Sequence, residues 1–488
     1  MANRRSFKID ESFLEKISIG AIATKKVFNH LSGLGHSPIE LERGSMSFKI
    51  WKEIKIKRVR VPDILCVTCG KRIESRGKTK LEISMSHSFV SPERGWDHGL
   101  NDDDFVALVK CSKIGEHPID WKGEEPVQYI PVDKMKEAYR NQLIVTEKPK
   151  GATEGFEARI TWPSAKAESE GTVTSLNENR LQYRRTSDNR TVTLQLTKKG
   201  IKLTPLVTLN DHVFPNQIIA SVVPVSMGFD CAKHADLKYY SGMLKSPSLS
   251  ERYAAAKALF LFPSDITTDL LLDRMKDDRD HIYVRLEAAS SLMKMGRKEP
   301  LDLFELMLRD EYLENRLESV IILGEVKGDD SCTLLVKTLF DATQHAEIRA
   351  GAAWSLGELK NECSLSALAK AFNEVEQNIR VEAARALVKF GESFTREFIN
   401  FFPRGNKEER AGLSWALSKI GNFKVVDLLP VLTDDEARKW VAWIIGTQNQ
   451  ATYIDQIEQL KNKDKEVYFA VTVLWQILSS WIDGLDTY

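Results

Sequence analysis

Two carboxylates and five cations crowd into one short stretch of this chain, VPDILCVTCGKRIESRGKTK over residues 61–80. Cys69-Gly70 signals a tight turn between two strand-like runs. A turn centred on Thr68-Cys69 sets Asp63 directly opposite Glu74, and a turn one residue later offsets them by two. In either register the carboxylates stand close together. Glu74, Arg76 and Lys78 share one strand face, because side chains alternate along a strand. Such a pair suits Mg²⁺ or Mn²⁺, hard cations that bind through one or two carboxylates plus a phosphate. A cation held there lowers the pKa of a water and stabilises a departing oxyanion, with a basic neighbour neutralising developing charge. The expected catalytic set is therefore Asp63, Glu74, Lys78 and Arg76, with Asp63 and Glu74 as metal ligands. Residues 49–80 carry eleven Lys/Arg against three Asp/Glu, which suits a polyanion. Lys52, Lys55, Lys57, Arg58, Arg60, Lys71 and Arg72 are the expected nucleic-acid contacts.

Cys66-Val-Thr-Cys69-Gly has the shape of a zinc knuckle, since CxxCG bends the chain so that two thiolates converge. A structural zinc needs four ligands. There is no second CxxC, and Cys111, His117, His87 and His98 are candidates at no standard spacing. The other reading is a pair of buried apolar cysteines in a turn. A redox role lacks the βαβ surroundings it would need. Asp102, Asp103 and Asp104 read as a turn, with Asp97 or one of the three as a supporting acid. No Ser/His/Asp order, P-loop, GxGxxG or HExxH is present, so those enzyme classes have no support.

The elements that must hold these residues come next. Residues 10–32 have helical periodicity, started by Asp10 and ended by Gly33/Gly35. Ile54 and Ile56 alternate with lysines, then Val59 and Val61 with arginines, which predicts a strand with a β-bulge near Arg58. A later strand (105–110), VQYIPV and the helix DKMKEAY complete the N-terminal part. Between 150 and 230 the helical period gives way to six short alternating runs, expected to form a small barrel or sandwich. Arg180, Arg184, Arg185 and Arg190 share one hairpin, read as a solvated face in preference to a phosphate contact.

The C-terminal half repeats. Arg285, Arg349, Arg380 and Arg410 each open an Ala-rich helix (RLEAASSLMKMG, RAGAAWSLGEL, RVEAARALVKFG, RAGLSWALSKIG), and weaker copies begin at Arg252, Arg316 and Arg438. One helix pair cannot bury its apolar stripe alone, whereas stacked pairs can. The repeated arginine reads as an internal ladder bonding neighbouring repeats, not as a row of ligand contacts. Trp354, Trp415, Trp440, Trp443, Trp475 and Trp481 read as core. The RxxAAxAL phase resembles the HEAT-repeat family in its short phycobilisome-lyase-like form, which implies an α-solenoid of about eight helix pairs that recruits a protein partner.

Pro62-Asp63 and Glu74-Ser75-Arg76, eleven residues apart across a hairpin behind a helix, resemble the PD-(D/E)xK nuclease family. The resemblance implies metal-dependent phosphodiester cleavage, with Glu40 or Glu42 as an additional carboxylate. Arg76 departs from the family's lysine, and its guanidinium cannot deprotonate. Lys78 is the candidate substitute; otherwise the fold binds nucleic acid without cutting it. The expected fold is multidomain α+β: a nuclease-like α/β domain over 1–148, a small β-rich domain over 149–230 and the solenoid over 235–488. The 488 residues carry no net charge, but basic side chains exceed acidic ones before residue 233 and the reverse holds after it. Six scattered cysteines give no disulfide framework. No apolar leader opens the chain, and the stretch 467–482 is short for a membrane span. The expectation is a cytoplasmic nuclease or nucleic-acid-binding subunit, DNA being the favoured nucleic acid, with the solenoid as partner platform in a prokaryotic defence or restriction system. The alternative is a non-enzymatic scaffold whose N-terminal domain only docks a partner.

Overall fold

The computed structural model describes residues 10–43, 45, 54, 59–148 and 157–485. The chain forms two compact units, Met1–Ile50 with Arg58–Asp273, and Trp51–Lys57 with Arg274–Tyr488. Lys52, Lys55, Lys57 and Arg58, together with most of the strand expected around them, lie outside the described residues. Of that strand Ile54, Val59, Arg60 and Val61 are described and none is in a ladder, so the strand reading is corrected there.

In the first unit, α1 (Asp10–Gly33) is followed by β1 (Pro38–Glu40), β2 (Ile64–Cys66), β3 (Arg72–Lys78), β4 (Ile83–Ser88), β5 (Phe105–Lys113), β6 (Trp121–Gly123), β7 (Gln128–Pro131), α2 (Val132–Arg140), β8 (Val145–Glu147) and β9 (Glu157–Trp162). A mixed sheet runs β1-β2-β3-β5-β6, with β7 also paired to β5. β2 and β3 are antiparallel, and β3 and β5 are parallel. A strand paired inside a sheet and covered on both faces should be apolar on both. β5 fits: Ala107, Val109 and Cys111 pack against Ala23, Val27 and Leu31 of α1. Val106 and Leu108 join Met85, Ile130, Met135, Ile160 and Trp162 on the other face. α1 lies so close to β3 that a Cβ on Gly77 would meet Ile19 at 2.7 Å.

β9 pairs with both β4 and β8. Beyond it, Gly171–Leu176, Arg180–Arg185, Thr191–Gln195 and His212–Val213 form one small sheet, and Ser164–Lys166, Thr204–Pro205 and Ile218–Ser221 another. The two share a core of Val173, Leu181, Tyr183 and Ile219. Among the described residues there is no closed barrel. An irregular stretch from 222 returns to β7, where Ser226 and Tyr129 exchange both backbone hydrogen bonds (2.8 and 3.0 Å). Then come α3 (Leu237–Met243), α4 (Leu249–Ala258) and α5 (Asp265–Lys276), the last crossing into the second unit.

The second unit is all-helical where described. Its principal helices are α6 (Ile282–Lys294), α7 (Leu301–Met307), α8 (Leu313–Glu325), α9 (Asp329–Phe340), α10 (Ala346–Leu359), α11 (Glu362–Lys370), α12 (Gln377–Val388), α13 (Thr395–Phe401), α14 (Lys407–Ile420), α15 (Val425–Leu428), α16 (Asp435–Gly446), α17 (Gln450–Tyr453), α18 (Ile457–Lys463) and α19 (Lys465–Leu485). The helices that open successive repeats, α8, α10, α12, α14 and α16, pack in sequence. Small residues bring them close: a Cβ on Gly357 would lie 2.6 Å from that of Ala386.

The arginines form the internal ladder. Arg285 donates to the Met275 carbonyl (3.0 Å), Arg349 to that of Leu339 (2.8 Å) and Arg410 to that of Phe402 (3.0 Å). Each thereby satisfies a carbonyl orphaned at the end of the preceding helix. Three of the repeated arginines also reach an acid one repeat on: Arg349 pairs with Glu374 (2.5 Å), Arg410 with Asp434 (2.5 Å) and Arg438 with Asp464 (2.7 Å). Two expectations are corrected. Trp415 and Trp443 are 37% and 42% exposed, so they are not core. Cys332 and Cys363 form a disulfide between α9 and α11, which the reading of the cysteines as scattered thiols does not anticipate. No helix among the described residues is long and apolar enough to cross a membrane.

Candidate functional site

The hairpin pairs Ile64 with Ile73 and Leu65 with Arg72, so one step further out Asp63 meets Glu74. The Ser75 N–H donates to Asp63 Oδ2 at 2.7 Å, and the Leu41 N–H donates to the Asp63 carbonyl at 2.7 Å. That second bond continues the β1–β2 pairing and brings Glu42 alongside. Burial, then the carboxylates of Glu74 and Glu42, push Asp63 well above the usual carboxylate range against the Ser75 N–H and Arg76. Glu74 is also raised, by burial first and then Glu42, with Arg76 opposing. Asp63 and Glu74 are thus two buried acids whose charge is disfavoured by burial and by neighbouring carboxylates. They are hard oxygen donors of the kind Mg²⁺ or Mn²⁺ takes, and a divalent cation relieves such repulsion.

The basic members of the expected set separate. Arg76 stays with the acids, its Nη2 at 2.7 Å from Glu74 Oε1. Lys78 does not join them: its Nζ donates to the Ser84 carbonyl (2.7 Å) and hydroxyl (3.1 Å). Burial, then the charge of Arg76, lowers its pKa to about 8. Glu42, Arg60, Glu74, Arg76, His87, Arg94 and His98 line a cleft of about 620 Å³. Arg76 and Lys78 line a second cavity of about 840 Å³ together with Lys16, Lys80, Arg159, Lys198 and Lys199. Arg76 and Ser86 are the shared wall.

Two expected nucleic-acid contacts lie elsewhere. Arg72 is 1% exposed and bonds Asp104 twice (2.9 and 2.6 Å) and the Ser250 hydroxyl (2.6 Å). It is a buried structural ion pair, and no phosphate can reach it. Lys71 pairs with the exposed Asp103 at 3.0 Å. Arg60 is exposed at the cleft. The basic groups of the second cavity were missed by sequence reasoning, because Lys16, Arg159 and Lys198 come together only through the fold. Glu82 and Glu147 already pair with part of it: Arg159 with Glu82 at 2.6 Å and Lys199 with Glu147.

The two knuckle cysteines are buried at the hairpin turn. Among the described residues, one group of three or more His, Cys, Asp or Glu side chains stands close enough to share an ion: His36, Cys66, Cys69 and Cys231, with ligand atoms all within 4.8 Å of one another. The expected completing ligands are therefore corrected. Cys111 is buried on β5 against α1, with its pKa pushed up to about 11 by burial. His87 Nδ1 accepts the Trp96 N–H at 3.2 Å, and His98 lines the same cleft. His117 sits in a turn with Asp120. His36 and Cys231 lie 30 and 165 residues from Cys66 in sequence, and no local spacing rule reaches them. The Cys69 thiol hydrogen-bonds the Cys66 sulfur, the largest factor drawing Cys66 down to about 3.

HEAT repeats match residues 301–389 of the chain. No curated protein is similar to it. Among solved structures, human deoxyhypusine hydroxylase in complex with glycerol is 17% identical and covers 40% of this chain and 86% of its own, with a TM-score of 0.17. The CpcE–CpcF complex of phycocyanin lyase from Nostoc is 17% identical and covers 45% of this chain and 98% of its own, with a TM-score of 0.25. A designed armadillo repeat protein is 16% identical, with coverages of 44% and 100% and a TM-score of 0.24. The HEAT-repeat match falls within the helical second unit, which follows the strand-rich first unit in sequence.

Proposed function

We propose that the first unit is a metal-dependent, phosphodiester-cleaving head of the PD-(D/E)xK type acting on nucleic acid, DNA in the first instance, and that the solenoid recruits a protein partner. The observation that carries this is the meeting of Asp63 and Glu74, both with raised proton affinities, where Glu42, Glu74 and Arg76 line a cleft that adjoins a basic cavity. Mg²⁺ or Mn²⁺ held by Asp63 and Glu74 would supply a more acidic water and charge stabilisation. The chain's own groups do the rest. Arg76 neutralises charge at the cleft, and the second cavity's lysines track the phosphate backbone. By analogy, a nuclease-like head on a repeat scaffold fits prokaryotic defence or restriction in the cytoplasm.

The test is a time course on plasmid and single-stranded DNA with Mg²⁺ or Mn²⁺ titrated. Asp63→Ala and Glu74→Ala should each abolish cleavage while sparing binding, and Arg76→Lys should preserve or raise it. Binding should weaken steeply with salt and on Arg60→Glu. Equal cleavage by wild type and Asp63→Ala sinks the catalytic reading.

A second reading, a non-enzymatic scaffold, is favoured by two observations. Arg76 is occupied by Glu74, and Lys78 is held by Ser84 away from the acids. Trp354, Trp415 and Trp443 each follow a ladder arginine by five residues, and the latter two are exposed. A recurrent exposed tryptophan at one repeat phase suits protein recognition. Loss of partner capture on Trp415→Ala and Trp443→Ala, with no DNA binding by wild type, would select this reading.

A further inference from the structure

We infer that His36, Cys66, Cys69 and Cys231 form a structural zinc site that ties together three distant parts of the first unit. The inference is independent of what the acidic cleft does.

Geometry carries it. Zinc bound tetrahedrally at about 2.3 Å to sulfur and about 2.0–2.1 Å to nitrogen needs S···S separations of about 3.8 Å and S···N separations of about 3.5 Å. Cys66 Sγ and Cys231 Sγ are 3.8 Å apart. His36 Nδ1 is 3.4 Å from Cys66 Sγ and 3.6 Å from Cys69 Sγ. All four donors lie within 4.8 Å of one another, so a single ion can touch them all. A chance cluster of apolar-packed cysteines has no reason to adopt these distances. Three soft sulfurs and an imidazole select zinc among the common cellular divalent ions.

The surroundings are built for the same end. His36 Nε2 lies 3.0 Å from the Phe229 carbonyl, an acceptor only, so Nε2 carries the proton and Nδ1 presents its lone pair to the thiols. Metal-bound imidazoles are oriented by such outer contacts. The ring is also wedged against Phe229, centroids 4.6 Å apart. Thr68 Oγ1 stands 3.3 Å from Cys66 Sγ and 3.2 Å from Cys231 Sγ, where a hydroxyl hydrogen stabilises thiolate. The backbone N–H groups of Ser37 and Cys69 point at the Cys66 sulfur and that of Lys71 at Cys69. Gly70 completes the knuckle with φ +72°, and a Cβ there would meet Tyr239 Oη at 2.7 Å.

Metal release would set free the end of α1, the β2–β3 turn and the irregular segment around Cys231 at once. Such a site is closed: four protein ligands leave no position for a substrate, so it stabilises and does not catalyse.

The experiment uses the full chain, purified with its thiols reduced. Metal content is measured by mass spectrometry, and release by a mercurial thiol reagent is followed with a zinc-sensitive dye. The expected result is one zinc per chain, released as the site thiols are titrated. Co²⁺ in place of zinc should give the strong visible bands of tetrahedral thiolate ligation. Cys231→Ser should lose the metal and lower the melting temperature, and Cys111→Ser should keep both. Should Cys231→Ser not fold, His36→Cys decides: it should retain zinc and shift the cobalt bands. Substoichiometric zinc in the reduced wild type with no cobalt spectrum would overturn the proposal. So would full zinc occupancy in Cys231→Ser, unshifted cobalt bands in His36→Cys, or a preference for iron.

Discussion

Replacing Arg72 by alanine separates a binding role from a structural one. The guanidinium donates to both Asp104 oxygens, to the Ser250 hydroxyl and, at 3.4 Å, to the Gly99 carbonyl. Without it, Asp104 stays in a site where it is 3% exposed and keeps the Asn101 N–H at 2.7 Å. Burial already raises the Asp104 pKa, with Arg72 as the principal opposing influence, so the truncated protein holds an uncompensated acid. Removing one partner of a buried pair costs about 3–5 kcal/mol. Against a typical total of about 5–15 kcal/mol, that is a large share of the first unit's stability. At a urea dependence on the order of 3 kcal/mol/M, the midpoint falls by about 1 M or more. Urea unfolding of the full chain, followed by the fluorescence of the first unit's tryptophans (Trp96 and Trp162 are buried), reads the shift. Arg72→Met with Asp104→Leu should recover much of the loss, since an apolar pair of similar volume is often no worse than a buried ion pair. Lys71→Ala, breaking a pair whose acid is 91% exposed, should change stability by no more than about 1 kcal/mol. An unchanged midpoint in Arg72→Ala, joined to loss of nucleic-acid binding, would refute the structural assignment.

In the solenoid, Arg349→Ala should cost about 2–4 kcal/mol in the second unit's urea transition, because a buried carbonyl and a carboxylate both lose their donor. Arg438→Ala, whose guanidinium is partly in water, should cost clearly less by the same measurement. His30 has its pKa lowered from 6.5, by burial first, with Glu125 raising it and Lys26 lowering it. The unfolded chain then binds the proton more readily, so this stability is present above 6.5 and is lost as pH falls below it. Melting temperature against pH should accordingly fall less on the acid side in His30→Gln than in wild type. Gly70→Ala should lower the melting temperature by several degrees, since φ +72° and the contact with Tyr239 leave no room for a methyl group.

What the sequence discloses depends on the range of the interaction. The meeting of Asp63 and Glu74 is local, set by one turn and a period of two, and the Ile64–Ile73 ladder has that register. The ladder arginines are legible because the same solution recurs about every thirty residues. Lys78 shares a strand face with Glu74, but parity says nothing of Ser84, whose carbonyl takes the ammonium. Arg72 looked like any other member of a basic run until α4 supplied Ser250 and buried it. Trp415 and Trp443 follow the helical period of core residues, yet the packing of α14 and α16 leaves them exposed. His36 and Cys231 are parts of a tertiary cluster. The only local hint is that His36 follows the Gly33/Gly35 helix stop.

The arginine ladder also bears on how the array can have grown. Glu374 accepts Arg349 from the repeat before it through its side chain and Arg380 from its own repeat through its carbonyl. At Arg349, Arg410 and Arg438 the acid is thus a socket for the preceding unit and the arginine a plug for the next. A gene duplication of one whole period, wherever it begins, conserves the order of plugs and sockets and inserts a unit already compatible with both flanks. A duplication of any other length breaks the alternation and strands a buried charge. Copy number in this half of the protein is therefore free to drift over generations in whole periods, while the phase of the arginine is not.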